Sequence, residues 1–161
     1  MDLRDAEGVH FLTLEPLTYQ FAEVRGDSFD DNWLVIKGKA RSDVERWTFQ
    51  NPCLLVGEAH TLGTWLRSVA DGEASTMAPD DEGHLWPTTN HIEPNVGFGL
   101  VSEGHNVVTI RAFLWLESGP PSVAALSSQM AWFMDLTMTR DSLRAAAAEW
   151  TGELAKFPQR G

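Results

Sequence analysis

The chain has 161 residues, 43% of them hydrophobic and 22% charged, with a formal net charge of −11. That length can bury a substantial core, and the balance of apolar and charged residues excludes global disorder. The charge argues against direct nucleic-acid binding, which draws on lysine and arginine. With no long apolar run or signal-like hydrophobic stretch, the chain is expected in the cytoplasm and not in a membrane.

Residues 9–14 and 17–22 both carry strand-type side chains, separated by Glu15-Pro16. Leu17, Tyr19 and Phe21 alternate with polar residues, the period of a half-buried strand. Proline brings no N–H to a sheet, so Pro16 is expected at a strand start or an edge. Residues 25–32 then form a polar loop. Residues 33–40 and 44–50 make the clearest hairpin, with Trp47 and Phe49 on one face and Arg41-Ser42-Asp43 at the turn. Pro52 is read as a break, after which the first helix begins between Asn51 and Val56. Leu55, Ala59, Leu62, Leu66 and Val69 fall on one helical stripe, and Asp71-Gly72 supplies the stop.

Residues 73–95 read as a long, irregular acidic loop, with a short strand around residues 74–77. A second hairpin follows, from residues 96–101 and 107–116, turning at 102–106. Gly97 and Gly99 leave one face of its first strand bare, so another element can approach closely. Gly119-Pro120-Pro121 breaks the chain before a last strand at residues 130–138. The C-terminal helix starts within residues 139–142, capped by Thr139 or Asp141, and repeats the stripe with Leu143, Ala147, Trp150, Leu154 and Phe157. Pro158 ends it. The expected fold is α+β, a single domain over residues 1–161 with an antiparallel β-sheet of about seven strands and two amphipathic helices packed on one face.

No motif for covalent, phosphate-binding or dinucleotide chemistry is present. Cys53, the only cysteine, lies between Pro52 and Leu54 and is expected to be buried. The five histidines share no ligand spacing, so no metal or other cofactor is expected. Asp27, Asp30 and Asp31 lack the spacing of a calcium loop. Asp30 and Asp31 beside Trp33 suggest an alternative, a small-molecule or sugar pocket. Paired glycosidase carboxylates must face each other across a cleft, however, and neighbours in sequence give no sign of that. The chain is read as a non-enzyme.

The charge is unevenly spread. Residues 68–139 hold nine acidic residues and one basic residue, Arg111. A solvated face is the plain explanation, and a docking face for a basic partner is the sharper one. Trp86, within Leu85-Trp86-Pro87, can serve as a binding anchor or as a pin holding the loop to the body.

Several segments, in this order and spacing, resemble bacterial WapI-family immunity proteins: Tyr19-Gln20-Phe21, Asn32-Trp33-Leu34, Gly38, Trp47-Thr48-Phe49, Pro52-Cys53-Leu54, Trp65-Leu66, Ala70-Asp71-Gly72 and Glu93-Pro94-Asn95. The helix with Leu143-Arg144-Ala145-Ala146-Ala147, ending in Lys156-Phe157-Pro158, extends the likeness to most of the chain. The acidic stretch at residues 75–90 departs from the pattern. The resemblance implies a cytoplasmic antidote that binds the toxin domain of a polymorphic or contact-dependent toxin, often a tRNA-cleaving nuclease. A nuclease offers positive charge to phosphate, so its inhibitor gains by presenting carboxylates. The expected binding residues are Asp80, Asp81, Glu82 and Trp86, with Asp27, Asp30 and Asp31 as a second patch.

Overall fold

The computed structural model describes residues 1–124 and 130–161. Its elements, in chain order, are β1 (Asp2–Arg4), β2 (Phe11–Tyr19), β3 (Trp33–Arg41), β4 (Arg46–Leu55), α1 (Val56–Asp71), β5 (Val96–Glu103), β6 (Val107–Leu114), α2 (Pro121–Ala124), β7 (Phe133–Thr139) and α3 (Arg140–Leu154). The fold is α+β, and its seven strands are all antiparallel to their neighbours. They are divided between two sheets: sheet A, in the order β1-β2-β3-β4, and sheet B, in the order β5-β6-β7. The Ala6 N–H donates to the Thr137 carbonyl beside one sheet junction, and the Trp47 indole donates to the Ser118 carbonyl at another.

Alternation decides which face is buried. Leu12, Leu14, Leu34, Ile36, Ala40, Trp47 and Phe49 of sheet A share one core with Phe98, Leu100, Ile110, Leu136 and Met138 of sheet B. The helices close that core. Gly63 of α1 lets Trp150 of α3 come close, with only 3.1 Å between its ring and where a Cβ would stand. The buried Trp150 indole then donates to the Ala59 carbonyl at 2.8 Å. Gly72 ends α1 in the left-handed region at φ 77°. Arg140 and Arg144 of α3 bond the last carbonyls of α1 at Val69 and Ala70, where cations also favour the helix dipole. Thr139 caps α3 by accepting the Ser142 N–H.

Several boundaries differ from the sequence reading, each for a local reason. The two runs around Pro16 fuse into one strand, β2. Pro16 lies where β1 no longer covers that edge, beside a register shift, so its missing N–H costs the ladder little. Likewise Pro52 does not break β4. It sits on the outermost strand of sheet A, next to a bulge at Leu34/Val35. The unforeseen β1 pairs with Phe11–Thr13, too short to show a period. No strand forms at residues 74–77, and the last strand runs from Phe133 to Thr139. β6 stops at Leu114, shortly before Leu116 takes a positive φ of 51°.

Candidate partner-binding surface

The outer face of sheet B is built in cross-strand rows. One is Gly97–Phe113–Phe133 and the next is Gly99–Arg111–Asp135. The bare faces of the two glycines are occupied by the 73–95 segment, as their spacing led us to expect: Pro87 lies over Gly97 and Met77 over Gly99. Backbone bonds hold the segment along the β5 edge. The Met77 N–H donates to the Leu100 carbonyl, and those of Thr88 and Thr89 donate to the Phe98 carbonyl. The Phe98 N–H in turn donates to Thr89 Oγ1 at 2.8 Å. Glu58, at the start of α1, accepts the N–H groups of Leu55 and Ile92 and fastens the far end of the segment.

Between this segment and β6–β7 lies a cleft of about 610 Å³. Asp80, Glu82, His84 and Trp86 form one wall, while Arg111, Phe113, Trp115 and Phe133 form the floor and the other wall. Phe113 and Trp115 are buried, whereas Trp86 is 52% exposed and Phe133 44%. The rings follow one another across the cleft: Trp86 to Trp115 at 6.1 Å, Trp115 to Phe113 at 5.4 Å, and Phe113 to Phe133 at 6.2 Å between centroids. Such a mixture of half-exposed aromatics and rim carboxylates suits a protein-binding surface.

Asp80 organises the wall. Its carboxylate accepts the Trp86 indole N–H at 2.7 Å and the backbone N–H groups of Glu82 and His84. The indole bond and then the His84 amide hold its pKa below the usual carboxylate value. Gly83 completes the turn at φ +85°. The Asp81 and Glu82 carboxylates accept none of these bonds, and both residues are exposed. Trp86 is therefore half-exposed, held by the turn through its indole and set against the body through the Trp115 ring.

The second predicted patch has another structure. Asp31 is only 1% exposed, and its carboxylate accepts the backbone N–H groups of Arg25, Gly26 and Asp27. Asn32 extends this arrangement by bonding both the N–H and the carbonyl of Arg160. Asp27 accepts the amides of Asp30 and Phe29, which lower its pKa. Of this group, Asp30 lines a groove of about 370 Å³ with Trp33, Phe29 and Ile92. The 80–86 cleft and this groove share no lining residue. Nor does Asp31, closed in by amides, present a carboxylate to the groove as the alternative pocket reading expected.

Phe113 and Phe133 belong to the surface with nothing in the sequence to mark them, and Arg111 is marked there only as the lone basic residue of residues 68–139. They alternate with core residues along β6 and β7, so their outward direction is legible only once the register is known. The Cys53 thiol is pushed up to about 12, first by burial and then by Glu58, Glu93 and Glu117, which suits a packing role. Among the described residues no group of three or more His, Cys, Asp or Glu is placed to hold a metal ion, and no helix is long and apolar enough to cross a membrane.

Comparison with curated proteins gave no match, and neither did comparison with solved structures. A family model, the Immunity protein WapI-like family, matches residues 2–158. That match runs through both sheets, both long helices and the acidic segment, and the chain belongs to the WapI-like immunity protein family.

Proposed function

We propose that this immunity protein acts in the cytoplasm as a non-catalytic inhibitor, docking the outer face of sheet B and its acidic segment onto a basic toxin domain. The supporting observation is the cleft. It joins half-exposed Trp86 and Phe133 to Asp80 and Glu82 on one surface, within the most acidic part of the chain. Aromatic anchors would supply most of the affinity, and the carboxylates would steer association and select for positive charge. A nuclease is the toxin type that best fits, because its substrate groove must be cationic. Occupying that groove inhibits without any reaction by the inhibitor itself.

The test is calorimetry against the toxin domain encoded beside this protein, paired with survival of cells expressing that toxin. Binding and protection that both fall when Trp86 is replaced by alanine are expected. Absence of binding together with absence of protection would remove the reading.

A further inference from the structure

We infer that the cleft is a receptor for one basic side chain of the partner protein, with arginine preferred over lysine. The inference rests on the reading above that this surface docks a protein. The cleft already holds one guanidinium: Arg111 lies 3.7 Å from the Phe133 ring centroid and donates to both oxygens of Asp135 at 2.7 and 2.9 Å. Phe133 thus has an aromatic–cation–carboxylate set completed from within the chain.

The opposite wall has the aromatic and the carboxylates without the cation. Trp86 stands beside Asp80 and Glu82, and among the described residues no lysine or arginine pairs with either acid. Among the described residues the one basic side chain within 4 Å of either is His84, whose Nδ1 lies 3.6 Å from each. Trp86 is held in place by its bond to Asp80, so little side-chain freedom remains to be lost on binding. A planar guanidinium stacks on an indole, is weakly hydrated and can bond a carboxylate with two N–H groups. An ammonium does the first less well and the last not at all. Trp115 and Phe113 close the floor beneath Trp86 and give the guest's methylenes an apolar surface.

The experiment follows the tryptophan indole N–H signals of the full chain by NMR during titration with acetyl-Gly-Arg-Gly-amide. Twin peptides carry citrulline, which keeps the shape without the charge, or lysine. The expected result is a saturable shift of the Trp86 indole signal, about fivefold weaker with citrulline and intermediate with lysine, as a cation–π contact near carboxylates requires. Glu82→Gln should weaken the arginine peptide while leaving the spectrum of the free protein unchanged elsewhere. Equal binding of the citrulline peptide would overturn the inference, as would shifts confined to other regions or no shift at millimolar peptide. Toxin binding measured on the same sample separates the two proposals. A toxin that binds and covers the cleft while the arginine peptide does not bind contradicts only this inference, whereas failure to bind the toxin contradicts the docking reading itself.

Discussion

Two acidic loops of this molecule look alike in sequence and do different work. Each is organised by one aspartate that collects N–H donors: Asp31 in the 25–32 loop and Asp80 in the 80–86 turn. Asp31 is buried and its loop is tied to Arg160 through Asn32, so its carboxylate acts within the fold. Asp80 stays at the surface, and one of its donors is the side chain of a half-exposed tryptophan. A run of carboxylates in sequence therefore does not define a binding patch. What defines one is which oxygens remain after the backbone has been satisfied, and which apolar groups stand beside them.

The largest predicted effect separates the loops by stability. Asp31→Ala removes the buried carboxylate shared by the amides of Arg25, Gly26 and Asp27, at a cost of about 1–3 kcal/mol in urea unfolding. Toxin affinity, measured where the variant is fully folded, should be unchanged. A comparable change in affinity would mean that the 25–32 loop is part of the interface.

The next effect tests how the acidic segment is seated. In Gly97→Ala the new Cβ would stand 2.7 Å from Pro87 Cβ, in a ring that cannot swing aside. Overpacking of this kind costs about 1–3 kcal/mol, and part of it should be relieved by the segment lifting from β5. Loss of hydrogen-exchange protection at Phe98, whose N–H donates to Thr89, would report that movement. Full protection with lower stability would place the strain elsewhere.

A smaller effect depends on pH. Both ring nitrogens of His91 are buried without a partner, and burial lowers its pKa, with Glu58 opposing. The unfolded chain then takes up this proton more readily than the folded one. The stability this supports is present above about pH 6.5 and declines as pH falls through that value toward the lower folded pKa. Replacing His91 with glutamine should flatten the stability slope between pH 7 and 5, and an unchanged slope would clear His91 of the effect.

The smallest change in stability is expected for Asp81→Asn with Glu82→Gln. Both side chains are exposed, and unfolding should shift by no more than about 0.5 kcal/mol. Association with the toxin should nevertheless slow and become less sensitive to salt. Asp80 is left intact in that variant because it holds the turn. Asp80→Asn should instead disturb the Trp86 indole signal directly.

Much of the fold was legible because period and punctuation agreed. The four-three stripe marked α1 and α3, Gly72 and Thr139 marked their ends, and Gly97 and Gly99 announced a close approach that Pro87 and Met77 make. What escaped depended on partners distant in sequence. Pro52 reads as a break and Pro16 as a strand start or an edge, but both sit within strands because an open edge and adjoining bulges excuse their missing N–H groups. The division into two sheets has no local signature. Of the candidate surface, the loop half was visible from charge and from Trp86. The sheet half was hidden, because Arg111, Phe113 and Phe133 turn outward only through the β5–β6–β7 register.

The central claim, that the outer face of sheet B with its acidic wall is the toxin-docking surface, is tested most directly by a hydrogen-exchange footprint of the bound toxin domain. New protection should appear in the 80–86 turn and at the Phe133 end of β7, with none in the 25–32 loop. Protection confined to the 25–32 loop or to the outer face of sheet A, with the cleft unchanged, would contradict the account.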